Sequence, residues 1–442
     1  MKYRNKGLVL ALEGDEEEII VDEVSADELP EATAEVEADV SDANEEMAEI
    51  DDLEDSIDDA VEGSDDLEKI QGVMEESVAN DGEGLDETAA EIAEIAIESI
   101  CTRLGIKRKQ SIVPAMESFG SKDTRVAATK IAIENLVDVA KRIWNAIVDG
   151  FKEMMAKAKR FIIDLMSKTG SIVKAAEAAI TKAKSLDGTP KKESIEDEGL
   201  ATAMFNGSSS DSASLIEIMG RHAQLATVGL DSKDILADVT GDIEAYVKSG
   251  DADLDKIKNA LGKFGESFKS LANVKYSKHD AANKSIQIVL GPFVGARFLR
   301  LTVERADQVG VQFSSEDLQS TAAVPKTVPT LSSDEITTLA NKTLDVVKIA
   351  NDYKSELPKF DTFIRSVTKI ADAAVKVMET SDSSETDGAE VKKAKVAQAK
   401  KLVSDISRTV NTLTSVIPIG IVNSSRVSIR YINASLALYG AK

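Results

Sequence analysis

The sequence predicts a mainly α-helical protein of the α+β class, in which a disordered acidic N-terminal segment precedes a helical protein with a small antiparallel β meander. Three observations support this prediction. Residues 1–117 contain 37 acidic and 8 basic residues, whereas residues 118–442 contain 41 and 45. Apolar residues recur at helical spacing over residues 121–169, and apolar and polar residues alternate over about 285–313.

The acidic segment, residues 1–117, has a composition typical of disorder. Between Gly7 and Thr102 it contains 36 carboxylates, a single base (Lys69) and no aromatic residue. A segment of this kind cannot bury enough apolar surface to offset the entropy lost on ordering. We therefore expect residues 1–84 to be largely disordered and poorly packed.

One part of the acidic segment, near residues 85–104, has the pattern of an amphipathic helix. Its apolar residues recur at intervals of three and four, and Gly105 supplies a stop. The residues of this stripe are Ala89, Ile92, Ile95, Ala96, Ile100 and Leu104. We expect this to be the only long stable helix of the acidic segment, with Cys101 on or beside its buried face.

The region 118–283 is predicted to be helical and to begin with the long amphipathic helix 121–169. A broad apolar stripe indicates that one face of this helix is buried. The stripe includes Ile133, Leu136, Ile143, Trp144, Ile147, Phe151, Met154, Phe161, Ile162 and Leu165. Gly150 predicts a kink or break, Gly170 a stop, and residues 172–184 a second helix that packs back on the first.

Further along, Gly229 and Gly241 divide residues 200–270 into several shorter helices, and residues 186–199 read as a loop. The third region, 284–442, combines the β meander of about three strands with C-terminal helices. The helices are predicted over residues 333–355, 357–378, 392–417 (ended by Pro418) and 426–439.

Signatures of enzymes and of metal sites are missing from the sequence. It has no glycine-rich phosphate loop, no His-Glu-x-x-His and no Gly-x-Ser-x-Gly motif. With one cysteine and two histidines, His222 and His279, it lacks the donors of a structural metal site. Gly291–Gly295 fits a strand connection. We expect no catalytic activity, no cofactor, no metal and no small-molecule substrate.

Clusters of carboxylates at Asp39–Glu45 and Asp51–Asp55 could attract cations. They lack the glycine and the bidentate glutamate that a calcium loop needs at fixed offsets. Weak, nonspecific attraction is the expected outcome.

The helix 121–169 also carries basic residues, which leaves two interpretations open. Its apolar stripe favours packing in a core, but a basic face combined with Trp144 and two phenylalanines is typical of helices that bind a membrane surface or a partner. The residues that could contact DNA phosphates are Lys141, Arg142, Lys152, Lys157, Lys159 and Arg160.

The boundary between the acidic and the near-neutral parts coincides with Ala115-Met116-Glu117, followed by Ser118. Pro114 favours extended backbone just before this tripeptide, and extended backbone suits a protease cleft. The pattern small-x-Glu recurs elsewhere, for example at Glu134 and Glu177, but there it falls inside predicted helices. Position therefore distinguishes Glu117, which we interpret as the end of a propeptide.

This junction resembles the processing motif of the internal head proteins of giant phiKZ-type tailed bacteriophages. In that family a virion protease cuts after glutamate in such tripeptides and removes acidic N-terminal propeptides. Ala11-Leu12-Glu13 matches the same pattern and is the second processing candidate. The resemblance covers about the first quarter of the chain.

The resemblance implies a structural virion protein, made as a precursor in the cytoplasm of the bacterial host and retained in the head interior after the cut. The implied partners are the prohead protease, capsid or scaffold proteins, and packaged DNA through weak contacts; self-association is a further possibility. Two alternatives stay open. One is an interaction protein whose acidic segment mimics nucleic acid, and the other is a membrane-active protein masked by a pro-segment.

Overall fold

The fold is mainly helical, with two small sheets. The computed structural model describes residues 29–79, 82–107, 111–114, 119, 121–186, 188–248, 254–273, 277–280, 285–305, 309–317, 325–380 and 386–439. Its helices are α1 (Leu29–Val78), α2 (Glu87–Arg103), α3 (Lys122–Lys184), α4 (Glu198–Ala203), α5 (Ser212–Lys248), α6 (Leu254–Ser267), α7 (Ser333–Glu356), α8 (Asp361–Thr380), α9 (Thr386–Asn411) and α10 (Ile417–Leu436). The predicted mainly helical class is confirmed.

The predicted β meander is present as an antiparallel sheet. Its strands, in sheet order, are β2 (Lys278–Asp280), β3 (Ser285–Leu290), β4 (Arg297–Arg305) and β5 (Val309–Asp317). Alternating residues of β4 are buried because helix α6 covers one face, and residues 291–296 connect β3 to β4 as expected. A second pair, β1 (Ser194–Glu196) with β6 (Thr327–Pro329), lies partly in the predicted loop 186–199.

The long helix predicted from the apolar stripe forms, but it does not stop where the glycines suggested. Helix α3 runs through both Gly150 and Gly170 to Lys184, so the separate helix 172–184 is wrong. A glycine inside a helix costs only about 1 kcal/mol, which packing along the whole helix offsets. At Gly150 the missing side chain has a use, because a Cβ there would lie 3.1 Å from Cγ1 of Ile57 on α1.

The same correction applies to α5 and to the C-terminal helices. Helix α5 continues across Gly229 and Gly241, so the shorter helices predicted there are wrong. Pro418 does not end the preceding helix either. A π-helical turn over Thr412–Val416 joins α9 to α10, and Pro418 lies in the first turn of α10, where a missing N–H costs least.

The acidic segment departs most from expectation. The helix predicted near residues 85–104 is confirmed as α2, but it is not the only long helix, because α1 extends over 50 residues. The expectation of poor packing is therefore wrong for the part of α1 whose burial is described, from Met47 to Val78. Residues 1–28 lie outside the described part of the chain.

Helix α1 joins the main core because its apolar residues meet α3, its most extensive neighbour. The core is one cluster that runs from Ile50 on α1 to Tyr439 after α10. It crosses the predicted region boundary near residue 283, since α3 packs against α7, α8 and α10. The division of the chain into three regions stays a prediction.

Candidate functional site

The chain entering the predicted processing junction is fixed by two helices. Ile112 and Val113 are 4% and 3% exposed. Their N–H groups both donate to Oε2 of Glu94 on α2, at 3.1 and 3.0 Å. The carbonyl of Ile112 accepts from Nδ2 of Asn135 on α3 at 2.8 Å. Residues 112–113 are therefore an anchor immediately before the junction.

A second anchor follows the junction. Phe119 is 3% exposed, and Ser121 is the N-cap of α3. Ser121 and Thr124 form a reciprocal capping box, in which the Ser121 N–H donates to Oγ1 of Thr124 at 3.1 Å and the Thr124 N–H donates to Oγ of Ser121 at 3.4 Å. Such a cap stabilises the first turn of a helix. The helix α3 thus starts from contacts that lie wholly after the junction.

The predicted processing residues themselves, Ala115, Met116, Glu117 and Ser118, lie outside the described residues, as do Ala11, Leu12 and Glu13. What the structure gives is the position of the junction. It falls in the five residues that connect the buried Val113 to the buried Phe119. Glu134 and Glu177, which end the same tripeptide pattern, lie inside α3 as predicted.

Helix α1 presents a heptad pattern of small and apolar residues. Two series with a seven-residue period run along it, and most of their members are buried, as in the a and d positions of a coiled coil. One series is Ile50, Ile57 and Ser64, and the other is Leu53, Ala60, Leu67 and Met74. Contacts of Ile57 with Gly150 and of Glu49 with Lys157 show that α1 runs antiparallel to α3.

A row of polar contacts joins the other side of α1 to α9. Carboxylates at successive heptads of α1 meet donors on α9 in antiparallel order. Asp51 and Glu54 accept from Asn411, Asp58 from Ser404 and Arg408, Asp65 and Glu68 from Lys400, and Glu75 from Lys393. We call this set the acid–base ladder, and the space between α3 and α9 that holds α1 the α1 groove.

Lys400 is the most buried member of the ladder. Its side chain has 0% exposure, and Nζ donates to Oδ1 of Asp65 at 2.9 Å, to Oε1 of Glu68 at 2.7 Å and to Oγ of Ser64 at 3.1 Å. All three protons of the ammonium group therefore have acceptors on α1. Burial raises the pKa of Glu68, although Lys400 acts in the opposite direction.

The other end of the ladder is centred on Arg408 and Asn411. Arg408 Nε donates to Oδ2 of Asp58 at 2.8 Å, and Asn411 Nδ2 donates to Asp51 at 3.0 Å and to Glu54 at 2.6 Å. Burial raises the pKa of both Asp51 and Glu54, and the hydrogen bond from Asn411 partly opposes this rise. Partial burial at this end of the ladder disfavours the charged form of both carboxyls.

Donors on α9 were missed by reasoning from the sequence. Their signal is the spacing of Lys393 and Lys400, and of Ser404 and Asn411, each seven residues apart. The same period of seven on α1 would have matched them. That period was overlooked because the many acidic residues of α1 led to a prediction of disorder.

The predicted DNA-contacting residues all lie on α3, but they face different neighbours. Lys141 and Lys152 pair with Asp138 and Asp149 on the same helix, and Arg142 donates to the carbonyl of Lys107. Lys157 pairs with Glu49 on α1, and Lys159 pairs with Asp361 on α8. Arg160 is exposed. Of these, Lys157 contacts the acidic helix. A role of the six residues in DNA contact stays a prediction.

The other candidate features, namely the aromatic face of α3, His222 and a metal or membrane site, have structural surroundings. Trp144, Phe151 and Phe161 are at most 1% exposed, so the aromatic face of α3 lies in the core. His222 packs on Phe293 with ring centroids 4.5 Å apart, and burial lowers the pKa of His222 to about 3. Within the described residues, no three metal-ligating side chains come together and no helix is apolar over a membrane-spanning length.

A family model of phiKZ-like phage internal head proteins matches residues 11–441. The chain belongs to this family. The match spans both the acidic segment and the helical remainder, so the α1 groove and its occupant fall within one family unit. No match was found among curated proteins or among solved structures. As an internal head protein, the chain is a structural component of the phage head interior, which favours a structural role over a catalytic one.

Proposed function

We propose that this internal head protein is made as a precursor in the host cytoplasm, enters the prohead, is cut after Glu117 by the prohead protease, and stays in the head beside packaged DNA. One observation carries the proposal. The tripeptide at the charge boundary lies in a short connection between two buried anchors, Val113 and Phe119. A connection of this kind can be cut without disrupting either anchored side.

The charge distribution supports a role for the acidic segment during assembly. Asp52, Asp55, Asp59 and Glu62 are exposed on the face of α1 that points away from the groove. Such a face attracts basic surfaces of scaffold or capsid proteins over a long range and repels DNA. The remainder of the chain, with a net charge of +4, tolerates phosphates at close range.

The cut is tested by replacing residues of the tripeptide in the phage. We expect Glu117→Gln or Ala115→Leu to abolish the mature N-terminus at Ser118, because a protease pocket would lose its carboxylate or small residue. The matched control is Glu134→Gln, which alters the same tripeptide pattern inside α3. N-terminal sequencing and intact mass of the protein from purified particles give the result. A protein that starts at Ser118 in the Glu117→Gln particles would overturn the assignment.

Proximity to DNA is tested by salt-titrated retention on DNA. Residues 118–442, once separated from the acidic segment, should bind DNA weakly and without sequence preference, with dissociation constants on the order of 10⁻⁴–10⁻⁶ M that weaken steeply with salt. The precursor should bind negligibly, because 29 excess negative charges of its acidic segment oppose phosphates. Equal retention of both forms at low salt would argue against a charge-based role.

A further inference from the structure

We propose that the α1 groove is a binding site for an acidic helix, and that it keeps the acidic segment bound as a separate chain after the cut at Glu117. The proposal deepens the proposed function, on which it rests for the cut itself. It predicts that processing yields a two-chain protein and not a free helical remainder.

The contacts that hold α1 do not depend on the junction. They are the contacts of the two heptad series of α1 with α3, which we call the heptad seam, and the acid–base ladder with α9. The residues that make these contacts are distant from Glu117 in the sequence. Lys400, for example, reaches Ser64 across 336 residues of sequence. Breaking one peptide bond after Glu117 leaves each of these contacts in place.

The residues just before α2 add contacts across the cut. The N–H of Leu85 donates to Oγ1 of Thr129 on α3 at 3.0 Å, and Arg125 pairs with Glu83 at 2.9 Å. Glu94 holds residues 112–113, which belong to the same fragment, and Asn135 binds this fragment through the carbonyl of Ile112. The fragment is therefore held at α1, at the residues just before α2 and at Ile112.

The groove selects a helix by its period. Donors seven residues apart on α9 are about 10.5 Å apart along the helix axis, and carboxylates seven residues apart on α1 have the same spacing. Lys400 faces Glu68 and Lys393 faces Glu75 in this register. Ile57 of α1 packs against α3 at Gly150, which has no side chain to exclude it. A nucleic-acid strand could supply the negative charge but not the apolar residues of the seam.

Retention has a consequence for charge. While the fragment stays bound, the processed protein keeps the net charge of −25 of the whole chain, and only loss of the fragment leaves +4. The cut alone therefore does not make the protein compatible with DNA. Displacement of α1 from the groove is the step that changes the charge.

The test uses the full chain with residues 115–118 replaced by the recognition sequence of a site-specific protease, so that it does not depend on the phage protease. After complete cleavage, size-exclusion chromatography with native mass spectrometry should show both fragments in one particle of the mass of the uncut chain. Separate elution of the acidic fragment, or aggregation of the remainder after the cut, would overturn the proposal. Failure of Glu117 to be cut in the phage would affect only the proposed function.

Variants show whether the ladder holds the fragment. In the cleaved protein, Lys400→Glu with Arg408→Glu should speed release of the fragment by about 100-fold or more, because each change leaves buried carboxylates facing like charge. The control is Lys152→Glu with Lys248→Glu, which alters ion pairs within α3 and within α5 and should leave release unchanged. Lys393→Glu at the less buried end of the ladder is a milder variant in case the double variant does not fold. Equal release from all of these proteins would refute binding through the ladder.

Discussion

Replacing Lys400 with methionine should destabilise the uncut protein in a pH-dependent way. The ammonium group is fully buried and binds Ser64, Asp65 and Glu68 on α1. Removing one partner of a buried ion pair costs about 3–5 kcal/mol, since the other charge is left in a site with little water. Asp65 is 49% exposed and can be hydrated, so the cost falls mainly on Glu68, at 28% exposure.

Protonation of Glu68 sets an upper limit to this penalty. Neutralising a carboxyl with a reference pKa of 4.5 costs about 3.4 kcal/mol at pH 7 and about 0.7 kcal/mol at pH 5, from 1.36 kcal/mol per unit. Loss of Lys400 raises the folded-state pKa of Glu68 further above its reference value. The stability that this shift gives to the variant is fully present below the reference pKa and is lost as the pH rises. We therefore expect a loss of about 3 kcal/mol at pH 7 and of no more than about 0.7 kcal/mol at pH 5.

Urea denaturation of wild type and Lys400→Met at both pH values measures these differences. The control is Lys152→Met, whose ion pair with Asp149 is exposed on the same protein and should contribute less than about 0.5 kcal/mol. Adding Glu68→Leu to Lys400→Met should recover much of the loss, because both buried charges are then gone. A penalty that is equal at pH 5 and pH 7, or below about 1 kcal/mol at pH 7, would contradict the buried ion pair.

Further substitutions test buried contacts of α9 and α3. Asp405 on α9 accepts from the N–H of Val311 at 3.1 Å, and burial raises the pKa of Asp405 to about 6. The stability of wild type relative to Asp405→Asn should therefore rise by up to about 3 kcal/mol as the pH falls from 7 to 4. Thermal melts at several pH values check the sign, and a difference that does not change with pH would contradict it. Gly150→Leu should cost about 1–3 kcal/mol by pushing on Ile57, whereas Gly170→Leu, with no atom within 4 Å of its Cβ position, should cost nothing; urea denaturation of both compares them.

The position of the processing junction illustrates how much the sequence could predict about the site. The charge boundary, the tripeptide and the start of the helix after it are local features, and each can be read from neighbouring residues. The anchor at residues 112–113 could not, because Glu94 and Asn135 reach it from two different helices. Sequence reasoning therefore predicted the junction, and only the structure showed that buried residues stand on both sides of it.

Interruptions of helices were predicted less well than helices themselves. The apolar stripe of α3 and the alternation of β4 are strong periodic signals, and both elements form. Gly170 and Pro418 were read as ends because their local cost in a helix is real. That cost is small beside the packing of a long helix, and a π-helical turn before Pro418 adjusts the backbone around it.

The sequence by itself determined the helical class, the meander and the division of charge, because each follows from composition or from a period along the chain. The tertiary structure decided the state of the acidic segment from Met47 to Val78. A prediction from composition compares the apolar surface that a segment can bury with the conformational entropy that it loses on ordering, and it treats carboxylates as unfavourable. Here Lys400 and Arg408, more than 300 residues away, supply the charges that make those carboxylates a binding surface, and α3 supplies the seam for its apolar heptads.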